Sequence, residues 1–447
     1  MDREPDRPIR VLHVPFAYLP DPIGGTEVYV RSLALGARPL GVESAVCAPG
    51  GSEGVSEQEG LRVHRFEARF TDASSLHGRP ERRSPGFDRI LDRERPDLVH
   101  FHAFVGGLTA GLADAAVERG VPYLFTYHTP SALCSRGDLL YNGGVCDGRL
   151  EPVRCAACVL RAHGVPRPAA GLMAAFPASM SLRLSGAFRG RVRTALTLTS
   201  DLARHRAAFR GFADRSEKVV AVCGWAVEVL ARNGVPPDRV LLSRHGIETG
   251  PSDHRADVRR TSDGSIRLVY AGRFSPIKGT HLVISALRSL PRAPIELDII
   301  GRAQSASDEE YLKELKRLSD DDNRIRYLRP YAAGEGRRVL SDYDAVVVPS
   351  VWMETGPLVV LEAFAAGVPV IASRRGGILE IVREDVDALL VEPGSVASWT
   401  ETLRRIGSDP DVLGRMRREV RPPRSSITVA EEMSRLYRAV LAEGGKA

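Results

Sequence analysis

Residues 345–372 read AVVVPSVWMETGPLVVLEAFAAGVPVIA, and this run decides the fold. A β-branched block, Ala345–Pro349, leads into a loop rich in turn formers. A second apolar block, Leu358–Ala366, has the length of a short helix, and Val368–Ala372 is β-branched again. Strand, loop, helix and strand in so short a span make a parallel β-α-β unit, because a crossover is needed to return the second strand in the same direction.

The alternation continues outward on both sides. Strands are expected at Ile266–Ala271, Ile295–Ile300, Ile325–Leu328 and Ala388–Val391, with helices through Lys278–Leu290 and Tyr311–Ser319. A second array fills the N-terminal half, with strands at Ile9–Val14, Ser44–Ala48, Leu61–Phe66, Leu98–Phe101, Tyr123–Tyr127, Lys218–Val222 and Val240–Ser243. Helices are expected between some of them, at Thr26–Leu35, Gly106–Arg119 and Trp225–Asn233. The polar stretch Asp253–Ser265 has no apolar period and reads as a linker. The expectation is an α/β protein with two Rossmann-like, doubly wound domains, residues 1–252 and 265–425, facing each other across a cleft. Ligand is expected at the carboxyl ends of their strands. Within residues 426–447, Val429–Leu441 has an amphipathic pattern and could pack on either domain.

Pro130 to Arg193 breaks the alternation. A Cys-containing loop, about residues 130–165, precedes an Ala/Arg/Gly-rich segment at 171–193. That segment admits a basic surface helix in peripheral contact with a membrane, although a cap on the first domain is the simpler reading.

A chain of 447 residues is long enough for two cores. Its 62 Lys and Arg against 56 Asp and Glu give a formal charge of +6, a mild bias toward anionic partners such as nucleotides or phospholipids. The Arg residues are scattered and aromatics are 6%, so the basic stripe of a nucleic-acid binder is missing. The first ten residues do not resemble a signal peptide, and no apolar run approaches the roughly 20 residues of a membrane-spanning helix. A cytoplasmic protein is expected, with membrane association at most peripheral.

Chemistry concentrates at two loops. Glu354-Thr-Gly356-Pro357-Leu358-Val-Val-Leu-Glu362 follows a strand and opens a helix, where free backbone N–H groups and the dipole favour an anion. Carboxylates beside such a site are useful when they accept hydrogen bonds from ribose or sugar hydroxyls. Glu362 lies in an otherwise apolar helix, an unusual place for an ordinary surface glutamate. The second loop, Gly272-Arg273-Phe-Ser-Pro-Ile-Lys278-Gly279, sets an Arg fork and a Lys ammonium at a parallel strand's end, the donors two phosphates need. Solvated charges are the common fate of such residues; their position at this strand end favours a diphosphate.

Together these motifs resemble the family 4 glycosyltransferases of the GT-B fold. The resemblance also covers the Gly24–Gly25 turn, PDLVHFH at 96–102, TYHT at 126–129 and GGILEIV at 376–382. It implies transfer of a hexose, with retention, from a UDP- or GDP-sugar to a saccharide, lipid-linked or small-molecule hydroxyl in polysaccharide or glycoconjugate biosynthesis, with no essential catalytic metal. It implies that Arg273 and Lys278 hold the diphosphate, Glu354 faces the donor sugar, Glu362 binds ribose, and Gly24, Gly25 and Gly272 line the donor site with Gly356, Pro357 and Leu358. His128 matches the family histidine near the sugar 6-position; a role for His102 is weaker, and Gly246 of His245-Gly246-Ile247 is expected to be structural.

Two residues depart from the family pattern. Gly356-Pro357 stands where many relatives have Phe-Gly, and Pro supplies no N–H. Thr129 stands where Asp is common. A catalytically inert nucleotide-sugar-binding or regulatory subunit is therefore the alternative. Epimerases and phosphorylases of the same fold fit the two loops less well. The Gly24–Gly25 turn is not the G-x-G-x-x-G of a dinucleotide oxidoreductase.

Cys134, Cys146, Cys155 and Cys158 mark a subgroup with an insertion in the first domain. The insertion holds few apolar residues, so a structural zinc on four thiolates would help to order it; four reduced cysteines are the alternative. Cys47 and Cys223, in or beside strands, read as small buried hydrophobes.

Overall fold

The computed structural model describes residues 7–21, 24–68, 83–176, 190–249, 264–332, 334–409 and 411–444. Most of the Phe70–Pro85 loop, of the Asp253–Ser265 linker and of the basic stretch at 171–193 lies outside the described residues. The chain divides into two compact units, Met1–Ser243 with Ala430–Ala447, and Arg244–Val429.

The first unit is built on an eight-stranded sheet of β1 (Ile9–Val14), β2 (Val42–Gly50), β3 (Gly54–Gln58), β4 (Leu61–Glu67), β5 (Leu98–Phe101), β6 (Tyr123–Tyr127), β9 (Lys218–Ala221) and β10 (Val240–Leu242), with β7 (Leu140–Tyr141) and β8 (Gly144–Val145) forming a separate hairpin. The order is β10-β9-β6-β5-β1-β2-β4-β3. Only β3 runs antiparallel to its neighbour. All five residues of β6 are buried, as both-faced burial in a parallel sheet requires. The β3 edge, GVSEQ, is almost wholly exposed and polar, which blunts the sheet edge and removes the apolar signal that would have announced it.

The second unit holds a six-stranded, wholly parallel sheet of β11 (Ile266–Arg273), β12 (Ile295–Arg302), β13 (Ile325–Leu328), β14 (Ala345–Val348), β15 (Val370–Ser373) and β16 (Ala388–Val391), in the order β13-β12-β11-β14-β15-β16. Alternate residues feed two cores. Leu268, Tyr270, Leu297 and Ile299 pack with Trp399 and Leu403 on one face, while Val269, Val346 and Val348 pack with Val360 and Phe364 on the other. Both faces are covered, which is what doubly wound means physically. The order reverses direction between β11 and β14, so a crevice opens beyond their carboxyl ends, the usual binding place in such sheets. In the first unit the same reversal falls between β1 and β5.

The structure adds two details of organisation. The unit boundary falls at Ser243, short of residue 252. His245–Ile247 therefore belong to the second unit, where the Ile247 N–H donates to the Arg424 carbonyl at 3.0 Å, and a Cβ on Gly246 would come 2.3 Å from the Ser425 carbonyl oxygen. The last helix, Ser426–Gly444, continues into the first unit, where Tyr437 is fully buried. The Ser243 hydroxyl donates to Glu432 at 2.8 Å.

The Cys-containing segment is also more ordered than a loop. After the β7–β8 hairpin come helices Pro152–Ala162 and Arg167–Ala174, which pack with Gly190–Arg215. Leu150, Ala156, Leu160, Ala170, Ala174, Leu198 and Leu202 form a small core of their own. Small residues supply much of it, which is why the stretch looks too poor in apolar side chains to order itself. Among the described residues, no helix is long and apolar enough to cross a membrane.

Candidate active site

Lys278 and Glu354 come from the loops after neighbouring strands β11 and β14. The Val351 N–H donates to the Ile277 carbonyl at 2.9 Å and ties the loops together. The Lys278 ammonium stands 2.7 Å from Glu354 Oε1, with the Trp352 ring 5.0 Å from it. The Ser350 hydroxyl donates to the same carboxylate oxygen at 2.6 Å. Glu354 is 4% exposed, so the acid is desolvated and depends on these partners. Gly376 and Gly377 pack against its backbone: the Gly377 N–H donates to the Glu354 carbonyl at 2.6 Å, and a Cβ on Gly376 would meet that oxygen at the same distance.

The Glu354 loop then enters the helix Leu358–Ala365. Pro357 occupies the N-cap. Its missing N–H costs nothing as an intrahelical bond there, and the first amides of the helix begin at Leu358. Gly356 has φ +139°, and its carbonyl lies 3.0 Å from Nδ1 of the buried His245. Burial lowers the His245 pKa, so it meets this loop as a neutral ring.

Glu362 sits in the second turn of the same helix. Tyr331 donates its hydroxyl to Oε2 at 3.1 Å, and a Cβ on Gly336 would come 2.8 Å from the carboxyl carbon. Burial pushes the Glu362 pKa up to about 7, against the opposing hydrogen bond from Tyr331. The folded chain therefore keeps a proton that the unfolded chain loses near 4.5, and stability falls as pH rises through that window. Glu362→Gln lacks this cost, on the order of 2 kcal/mol. The variant should match the parent's melting temperature near pH 4 and exceed it by a few degrees at pH 8. Equal melting temperatures at both pH values would refute the buried-acid account.

Arg273 ends β11 with an exposed side chain; its carbonyl accepts from the Tyr270 hydroxyl at 2.7 Å. Among the described residues its guanidinium makes no ion pair with Glu354 or Glu362. Of the four charged residues singled out in the sequence, the structure thus couples Lys278 to Glu354 directly, places Arg273 at the neighbouring strand end, and gives Glu362 its own partner.

In the first unit, Gly24 caps the helix Gly25–Ala37, and its N–H donates to Glu27 Oε2 at 2.8 Å. That amide is therefore occupied, by a buried carboxyl whose pKa burial raises. Gly25 is exposed. His128, 4% exposed, follows β6 and belongs to a group that sequence reasoning missed as a group: His13 on β1, His100 on β5, His102 just beyond it, and His128. The missed signal was polar rings in strands that are otherwise apolar. Ser350, Trp352 and Tyr331 carried no comparable signal, because their roles exist only through their neighbours.

Each cysteine thiol of the insertion has a separate surrounding. Cys134 follows the turn after β6, Cys146 follows the hairpin, and Cys155 and Cys158 lie one turn apart on the helix Pro152–Ala162. All four are free thiols. Cys146 faces Asp147 at 3.6 Å, and Cys158 faces the Leu140 carbonyl at 3.9 Å with the Arg136 guanidinium 3.8 Å away. Burial raises the pKa of Cys134 and Cys146 and pushes Cys155 up to about 11.

Comparison with known proteins agrees with this fold. The family described as Glycosyltransferase Family 4 matches residues 23–154, and the one described as Glycosyl transferases group 1 matches residues 254–421. A D-inositol 3-phosphate glycosyltransferase from Pseudarthrobacter chlorophenolicus is 27% identical over 412 residues, spanning 87% of this chain and 83% of that protein. Its counterpart from an Arthrobacter species is 28% identical over 409 residues, spanning 88% and 84%. Among solved structures, sucrose-phosphate synthase from Thermosynechococcus elongatus superposes with a TM-score of 0.64 at 18% identity, covering 97% of this chain and all (100%) of that one. Anabaena HepE in complex with UDP superposes with a TM-score of 0.62 at 16% identity, covering 96% and 100%. The fold is GT-B, two Rossmann-like domains with their crevices at strand ends. Within that class the chain belongs to the family 4 glycosyltransferases.

Proposed function

We propose that this glycosyltransferase moves a hexose from a UDP- or GDP-sugar to a hydroxyl acceptor with retention of configuration, without a catalytic metal. The observation that carries the reading is the Lys278–Glu354 pair at the β11/β14 crevice, beside the amide-bearing start of the helix at Leu358. A diphosphate there would meet the Lys278 ammonium, the adjacent Arg273 fork and the helix N-terminus, which together neutralise charge as the sugar leaves. Glu354 faces the sugar hydroxyls, Glu362 and Tyr331 face the ribose, and His128 takes the role that the family pattern gives it. The names of the relatives support a glycosyl donor and a polar hydroxyl acceptor. HepE structures with UDP and with UDP-glucose support a nucleotide diphosphate as the donor's leaving portion.

The test is a panel of nucleotide sugars and hydroxyl acceptors, read by release of nucleotide diphosphate and by the anomeric configuration of the product. Release that depends on acceptor, with the donor's configuration kept, supports the reading. Inverted product refutes retention. Binding of a donor with no turnover on any acceptor returns the inert-subunit alternative.

A structural zinc on Cys134, Cys146, Cys155 and Cys158 belongs to the same proposal, although the insertion's own apolar core weakens the need for it. Metal binding would replace the thiols' present partners and deprotonate them. Purified protein should carry one zinc per chain by elemental analysis, lost in a Cys155→Ser/Cys158→Ser variant; a metal-free, fully active parent would refute it.

A further inference from the structure

Two segments of the second unit grip the backbone between Glu354 and Pro357. The first is Gly376–Glu380, where the Gly377 N–H donates to the Glu354 carbonyl at 2.6 Å and a Cβ on Gly377 would stand 2.8 Å from the Thr355 carbonyl oxygen. The second is His245, whose Nδ1 lies 3.0 Å from the Gly356 carbonyl oxygen. A carbonyl oxygen only accepts, so this nitrogen carries the proton and donates.

His245 is itself held in place. The Ile247 N–H donates to the Arg424 carbonyl, the Ile247 carbonyl accepts from the Ser426 N–H at 2.8 Å, and Gly246 passes too close to the Ser425 backbone for a Cβ to fit between them. Arg244 pairs with Glu380 at 3.0 Å, which ties this segment to the one that holds Glu354. The imidazole is buried, so its bond to Gly356 is made out of competition with water.

The bond falls where the loop has most freedom to lose. Gly356 has φ +139°, a backbone that residues with a Cβ rarely adopt, and glycine gives up more conformational entropy than any other residue when fixed. The ring of Pro357 is rigid at the next φ. Gly356 is thus a joint between the clamped Glu354 carbonyl and that ring, and the His245 bond sets its angle.

We propose that His245 is a positioning residue for the donor sugar, its Nδ1–H fixing the Gly356 peptide and with it the stretch Thr355–Pro357. The proposal rests on the sugar-facing role of the Glu354 loop given above. It divides the donor into two halves. Lys278 takes its place from Glu354 and Trp352, and the helix after Pro357 is anchored by buried Val360 and Phe364, so the diphosphate side keeps its supports when the His245 bond is removed. The sugar side loses its own.

The test compares the full-length parent with His245→Leu and His245→Asn. Asn is the matched replacement, because its amide nitrogen sits where Nδ1 does relative to Cβ. Amide hydrogen exchange in residues 353–361 should quicken about tenfold in His245→Leu, the scale of one net hydrogen bond, and return to the parent's rate in His245→Asn. By calorimetry UDP should bind all of them alike, whereas UDP-glucose should bind about tenfold more weakly to His245→Leu and recover in His245→Asn. GDP and GDP-glucose form the parallel pair. If His245→Leu does not fold, His245→Gln, whose amide sits one carbon further out, takes its place. Unchanged exchange, or no recovery in His245→Asn, would overturn the contact. Equal factors for UDP and UDP-glucose, unity included, would overturn the sugar-side role. A parent that binds neither UDP nor GDP sinks the donor reading and the sugar-side role with it, while the exchange rates alone decide the contact.

Discussion

Lys278→Ala is expected to reduce transfer by about 10²–10³-fold, the usual loss when one preorganised donor to developing charge is removed. The ammonium is held by Glu354 Oε1 at 2.7 Å and lies near the Trp352 ring, so it is in position before any ligand arrives. Fixed charge of this kind needs no reorganisation as the diphosphate leaves. The variant should also be less stable, because Glu354 at 4% exposure loses its cation while keeping the Ser350 hydroxyl. Stranding one partner of such a pair costs about 2–4 kcal/mol, at the lower end because Lys278 is partly exposed.

The two effects can be separated. In a Lys278→Met/Glu354→Gln double variant no buried charge is left over, so the melting temperature should recover while transfer stays low. Lys278→Arg should not restore transfer, since a planar fork does not reproduce a compact ammonium in a site shaped by a carboxylate and an indole. Lys278→Ala retaining transfer within tenfold of the parent would remove Lys278 from the chemistry, whatever its effect on stability.

How much of this was legible follows from what each feature depends on. Strands such as Leu98–Phe101 and Tyr123–Tyr127 were readable to the residue, because burial on both sheet faces writes a nearly continuous apolar run. The Lys278 and Glu354 loops were readable because each joins an apolar strand to a helix start, where free amides and fixed charge suit an anion. The edge strand Gly54–Gln58 and the amphipathic helix Pro85–Glu94 were not drawn out. The first has no buried face, and the second alternates charge, with Phe87, Ile90 and Leu91 its only buried apolar side chains. Cys155 and Cys158 drew attention as possible ligands and hid the helix that carries them, although Pro152 at its first turn and the Ala156, Leu160 spacing both mark it. The histidine group was out of reach for a different reason. It needs the register between β1, β5 and β6, a long-range quantity that no local pattern holds.

Gly279→Ala is expected to unseat the same site from below. Gly279 has φ +72°, and a Cβ there would stand 2.0 Å from the Pro349 carbonyl oxygen, 3.0 Å from its carbon and 3.2 Å from Leu282 Cδ1. The obstructing atom is backbone, so no side-chain rotation relieves it. One of the two crossing loops has to move. The β11 loop carries Lys278, and the β14 loop carries Ser350, Trp352 and Glu354, so separation breaks the pair that the site is built on. Left-handed backbone costs roughly 1–2 kcal/mol for a residue with a Cβ, and overpacking adds about 1–3 kcal/mol. A fall of about 5–15 °C in melting temperature should accompany loss of transfer. Gly394 supplies the control: its φ is +79°, yet nothing lies within 4 Å of a Cβ built there. Gly394→Ala should show the conformational cost alone and leave transfer intact. If Gly279→Ala proves as mild as Gly394→Ala in both stability and transfer, the close crossing of the two loops is not what holds Lys278 against Glu354.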